Sequence, residues 1–142
     1  VVEAVVSAQG NNPAGAVRAA EQLTHWTSRS DWHTILPAFS RCVRITRSTE
    51  QTYVVNPGLL VEPAELDLHK ALLTAEAIER KPGAIDDFLK AFFPMIPTID
   101  QFFDEVLVMV DDEAIQGNRL GLLQRIAALA DDVVDLSRLE GF

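Results

Sequence analysis

Cysteine, glycine, proline and basic residues are all scarce in this chain, and each scarcity excludes something. A single cysteine, Cys42, allows no internal disulfide and no cysteine-rich metal site, and it fits a reducing, cytoplasmic compartment. Seven glycines and seven prolines are too few for a collagen-like or low-complexity segment. No apolar run nears the roughly 20 residues that cross a bilayer, and no basic start followed by a small-residue cleavage site is present, so neither a membrane nor a secretory reading has support. Bases are outnumbered, with 12 Lys and Arg against 21 Asp and Glu and a net charge of −9. What is there is 48% hydrophobic residues over 142 positions, enough for a single domain, 1–142, around its own core. The first residue is Val1 and an apolar stretch starts at once, so we read the chain as a fragment of a longer polypeptide.

Apolar residues recur at helical spacing nearly throughout, and the alternation that marks strands is confined to a short patch, Thr52 to Val55. The expected fold class is therefore all-α, an antiparallel bundle of about six to seven helices. A first helix ends at Gly10, and Pro13 opens a second with Val17, Ala20 and Leu23 inward. A third, capped by Ser30 or Asp31, carries Trp32, Ile35, Leu36, Phe39, Val43 and Thr46 on one stripe, with Pro37 marking a kink or a later start. Ser48 to Glu62 is irregular. Pro63 opens a fourth helix with Leu68, Leu72, Ala75 and Ile78 inward. A fifth stops at Pro94, a sixth starts at Pro97 and runs through Phe102, Phe103, Val106 and Leu107, and the last runs from after Asp112 to about Val134.

Charge is uneven along the chain. Residues 1–50 hold five arginines against four acids, whereas residues 51–142 hold seven bases against seventeen acids. A polyanionic partner responds to that local balance more than to the total. Arg41, Arg44 and Arg47 fall on one face of the third helix, roughly opposite its apolar stripe. Two readings are open: a ridge that contacts phosphates, since Arg binds them in a bidentate way, or a solvated face near a helix C-terminus. Arg29, Arg18 and Lys90 could assist such a ridge, and Tyr53, Gln51 and Asn56 are candidates for stacking on bases or bonding their edges.

On the last helix the apolar stripe is interrupted by Asn118 and Arg119. A buried guanidinium needs a partner, and Asp104, Asp111 and Asp112 are the nearest acids in sequence. Gly117 and Gly121 bracket this pair at a cost of up to about 1 kcal/mol each relative to Ala, which predicts a helix start that is either mobile or closely packed.

The run Phe102-Phe103-Asp104-Glu105-Val106-Leu107-Val108-Met109, then Asp111-Asp112-Glu113, then Asn118-Arg119-Leu120, resembles the carboxy-terminal segment of the bacterial glycyl-tRNA synthetase beta subunit. Asp135-Leu136-Ser137, Glu62-Pro63-Ala64-Glu65 and the Phe39 to Ile45 stretch are similar to further segments of that family, in the same order. The resemblance implies a helical anticodon-binding domain, like those of arginyl and cysteinyl synthetases, that grips the anticodon arm of glycine tRNA. It also implies partners, namely the remainder of the beta subunit and an alpha subunit, in an enzyme of two alpha and two beta chains. Glycyl-adenylate formation from ATP with magnesium belongs by that resemblance to the alpha subunit, leaving this fragment with no catalytic centre and no cofactor of its own. A different class of function is a docking domain that touches no RNA. DNA is not an expected partner.

Two other chemistries have weaker patterns. Asp131-Asp132-Val133-Val134-Asp135 has the spacing of a diphosphate- and magnesium-holding motif if Asp131 and Asp135 share a helix face, but the chain is too short to enclose the cavity such chemistry needs. His25, His33 and His69 lack metal-ligand spacing, and Cys42 beside Phe39 and Val43 reads as a small buried residue.

Overall fold

Asn12 and Pro13 show how local the punctuation is. The Asn12 side chain accepts from the Gly15 backbone N–H at 3.1 Å, while Pro13, lacking an N–H, fills the first helical turn where none is needed. In the computed structural model, which describes residues 1–142, this device opens α2 (Pro13–Thr27), after α1 (Val2–Gln9). The remaining elements are α3 (Trp32–Arg47), α4 (Pro63–Ala77), α5 (Ile85–Phe92), α6 (Ile96–Glu105) and α7 (Glu113–Ala128), with single 3-10 turns at Pro57–Leu59, Phe93–Met95 and Leu136–Arg138. The fold is all-α, as the periodicity indicates.

The helix α7 packs along α3 and also meets α4; α4 lies on α6, α1 on α2, and α2 on α5. Between them runs one continuous core in which Phe88, Phe92 and Phe102 are the largest fully buried side chains. Burial of each such ring removes it from water at a gain of about 1.5–3 kcal/mol. Phe39 of α3 meets Phe88 and Phe92 of α5 edge-on, at centroid distances of 5.6 and 5.3 Å.

Several expectations are corrected. In α2 the inward residues are Ala19, Leu23 and Trp26, and Val17 points outward. Trp26 fixes that rotation because its indole N–H donates to Asp86 Oδ1 at 2.8 Å, and Gln22 of the same helix accepts from the Asp86 backbone N–H. Pro37 does not delay α3, which runs unbroken through it; it lies on the exposed side, where water can serve the carbonyl it leaves unbonded. Ile78 caps the end of α4 and is exposed, as is Leu107 beyond α6. The fifth helix does stop ahead of Pro94, as expected, and Pro94 sits in the 3-10 turn that joins α5 to α6. Thr52 to Val55 forms no strand: no second strand lies beside it, and the Tyr53 N–H donates to the Gln124 side chain of α7.

The last helix stops at Ala128, not near Val134. Past it the chain turns, with Asp132 at φ 61°, and is held by α1: the Asp135 N–H donates to Ala4 O at 2.8 Å, and Gln9 Nε2 donates to Val133 O and Gly83 O. These bonds draw Val134 and Leu136 into the core. Asp131 and Asp135 therefore do not share a helix face, and the diphosphate-motif geometry is absent.

Cys42 is fully buried on α3, and burial pushes its thiol up to about 12 from an ordinary 9.0. The unfolded chain ionises first, so this thiol leaves stability unchanged below about pH 9 and lowers it progressively as pH rises from 9 towards 12. We expect no reaction of the native protein with a thiol reagent at pH 8 and full reaction in urea. Fast labelling without denaturant would show that Cys42 is accessible.

Candidate nucleic-acid interface

The C-terminal half of α3 owes its exposed face to the opposite one. Because Phe39 and Cys42 are buried, helical geometry turns Arg41, Arg44 and Arg47 outward, and all three are exposed. No carboxylate lies within 4.0 Å of their nitrogens, in contrast to five ion pairs elsewhere. Each guanidinium instead lies by an aromatic ring: Arg41 is 4.2 Å from the centroid of Phe103, and Arg44 and Arg47 are 5.7 and 5.5 Å from that of Phe142. Ring contact engages the flat face of a guanidinium and leaves its N–H edge free for an anion.

Arg29 is placed differently. It forms a bidentate pair with Asp31, at 2.9 Å for both bonds, and stacks near Trp26 and Phe93. The bond to Asp31 raises the Arg29 pKa, and the bond from Arg29 holds the Asp31 carboxyl below its ordinary range. Its charge is thus already matched. Arg18 on α2 and Lys90 on α5 are exposed.

Gln51 and Tyr53 line a small depression of about 430 Å³ together with Glu113, Ala114 and Gln116 at the start of α7. Their backbones are anchored by one residue, since Gln124 accepts from Tyr53 N–H at 2.9 Å and donates to Gln51 O at 2.8 Å. Asn56 has a local structural task. Its side chain accepts from Gly58 N–H, and its backbone is clasped by both ends of the Asn118 amide, with N–H to Oδ1 at 2.6 Å and Nδ2 to the carbonyl at 3.1 Å.

Two glycines of α7 explain why the segment 51–56 can lie so close to that helix. A Cβ at Gly117 would stand 2.7 Å from Tyr53 Cδ1, and one at Gly121 would stand 3.2 Å from the Tyr53 carbonyl oxygen. Close packing, not mobility, is what the two glycines permit, and Asn118 between them reaches Asn56.

Arg119 pairs with none of the three aspartates expected from sequence. It donates to Glu65 Oε2 at 3.0 Å and to the Leu107 carbonyl at 2.6 Å, because α4 packs against α7 and brings Glu65 to it. Asp112 instead caps α7, accepting from Ala114 and Ile115 N–H. Asp104 is exposed on α6, Phe102 is buried, and Phe103 is half-buried under Arg41. Glu65 is the structural residue that sequence reasoning missed as a partner; its only signal was membership of the Glu62-Pro63-Ala64-Glu65 stretch. No group of three or more His, Cys, Asp or Glu side chains is disposed to hold a metal ion.

No family model matches the chain. It is similar along 99% of its length to the glycine--tRNA ligase beta subunit of Myxococcus xanthus, at 36% identity over 146 residues, which make up 21% of that protein. Similarity to the beta subunit of Moorella thermoacetica is 34% over 142 residues, 98% of this chain and 20% of that protein. A chloroplastic/mitochondrial glycine--tRNA ligase of Arabidopsis thaliana is 32% identical over 148 residues, all of this chain and 14% of that protein. The chain thus spans about a fifth or less of the length of these relatives.

Proposed function

We propose that these 142 residues are a helical domain of a glycine--tRNA ligase beta subunit, and that the domain holds the anticodon arm of glycine tRNA. The observation that carries the reading is the row of three exposed arginines on α3, unpaired by any acid in a chain of net charge −9. Sequence similarity to beta subunits over nearly the whole chain supplies the choice of RNA. In this proposal Arg41, Arg44 and Arg47 take phosphates, and Phe103 and Phe142 hold the guanidinium planes in place. Bases are read at the depression beside Gln51 and Tyr53, where Glu113 and Gln116 add acceptors and a donor. Asn56 shapes the segment 51–56, and Arg29 contributes little because Asp31 already neutralises it. Activation of glycine by ATP with magnesium falls outside this domain, to the alpha subunit of a cytoplasmic ligase.

The test is fluorescence anisotropy of a labelled glycine-tRNA anticodon stem-loop at low and moderate salt, beside one with a changed anticodon. Binding should prefer the glycine anticodon. The triple variant Arg41→Ala, Arg44→Ala, Arg47→Ala, checked for folding by circular dichroism, should bind about 10²–10³-fold more weakly and lose about 2–3 from the slope of log K against log salt. Equal binding by the variant would remove the arginines from the interface. Absence of binding even by the complete beta subunit would favour a docking domain without RNA contact.

A further inference from the structure

The two N-terminal helices bury one side and leave the other apolar. In α1, Ala4, Val5 and Gln9 face the core while Val2 and Val6 are 65% and 51% exposed. In α2, Ala19, Leu23 and Trp26 face the core while Val17 is 60% exposed. Val2 and Val6 are one turn apart, and Pro13, Val17, Ala20 and Thr24 form a parallel row on α2. Between the rows lies a groove of about 500 Å³ whose lining carries a single charge, Glu21. Isolated exposed valines need no explanation, but a concave, contiguous and nearly uncharged face marks a contact surface. It shares no residue with the arginine row.

We propose that this α1–α2 groove is the seat of an apolar helix face from the part of the longer ligase chain outside these 142 residues. The inference rests on the reading given under Proposed function, since the relatives carry about four-fifths of their length beyond the matched region. Two helices side by side with small residues between them fit a third helix anchored at i, i+3 or i+4 and i+7. RNA is a poor occupant, because the groove offers no base to a phosphate. A second copy of this chain would set one concave face against another, which does not fill either.

Hydrogen exchange read by mass spectrometry tests the assignment, comparing the 142-residue chain with the complete beta subunit. Amides in Val2–Gln9 and Pro13–Thr27 should exchange about tenfold or more slowly in the complete subunit. The pair Val6→Asp, Val17→Asp should return them to the rates of the isolated chain while leaving the anticodon stem-loop affinity unchanged. Both valines are exposed, and circular dichroism of the 142-residue variant confirms that its fold is kept. Equal exchange in the two contexts would overturn the proposal. So would concentration-dependent dimerisation of the 142-residue chain that the double variant abolishes, since the occupant would then be a second copy. Exchange protection in a subunit that binds no RNA would leave the groove assignment intact and sink only the RNA reading.

Discussion

Replacing Glu65 by alanine is expected to destabilise the protein by about 3–5 kcal/mol, the cost of removing one partner of a buried ion pair. Glu65 is 1% exposed and Arg119 9%, so water cannot replace the lost bond. Arg119 would keep only the Leu107 carbonyl, and the Glu62 backbone N–H, which donates to Glu65 Oε1 at 3.1 Å, would lose its acceptor as well. Glu65→Gln keeps the side-chain volume but only one acceptor oxygen, so it can serve Arg119 or the Glu62 N–H and not both, and it should recover only part of the loss. The double variant Glu65→Leu, Arg119→Met removes both charges and fills the space, so it should recover most of the loss. Urea unfolding followed by circular dichroism gives all three values. A single alanine variant within 1 kcal/mol of the parent would mean that Arg119 finds another partner and that the pair does not lock α4 to α7.

That pair also marks where sequence reasoning stops. Arg119 breaking an apolar stripe is visible in one helix, and the need for a carboxylate follows from charge alone. Which carboxylate depends on how α4 packs on α7, and Glu65 is 54 residues away in sequence. Nearness along the chain favoured Asp104, Asp111 and Asp112, whereas the fold leaves Asp104 on the surface and uses Asp112 as a cap. The same limit applies to Thr52 to Val55: its strand-like alternation is legible, but its neighbour is a helix, whose Gln124 bonds Tyr53 and whose Asn118 bonds the adjoining Asn56. The end of α7 is not legible in the sequence because the apolar residues Leu129, Val133 and Val134 continue past Ala128 at plausible spacing. A bond to the Ala4 carbonyl and one from the Gln9 amide decide it, and those residues lie at the other end of the chain. By contrast the outward row of Arg41, Arg44 and Arg47 was readable, because it needs only the period of one helix and the burial of Phe39.

Phe39 therefore links stability to the proposed interface, and Phe39→Ala should cost about 3–5 kcal/mol. Its ring is buried and meets two others edge-on, so the deletion removes both transferred area and the aromatic contacts between α3 and α5. Phe39→Leu should cost less, since a branched aliphatic chain fills more of the space than a methyl group does. Domains of this kind have only about 5–15 kcal/mol to lose, so the alanine variant should unfold well below the parent's melting temperature. Its effect on RNA binding separates two roles. If Phe39 only braces α3, the apparent affinity for the stem-loop falls in proportion to the folded fraction and returns to the parent's value at a low temperature where circular dichroism shows full folding. The Arg41→Ala, Arg44→Ala, Arg47→Ala variant should behave in the opposite way, keeping its fold and staying weak at every temperature. Persistent weak binding by fully folded Phe39→Ala would mean that α3 shifts when the ring is lost, and that the arginine row depends on the core for its position as well as for its stability.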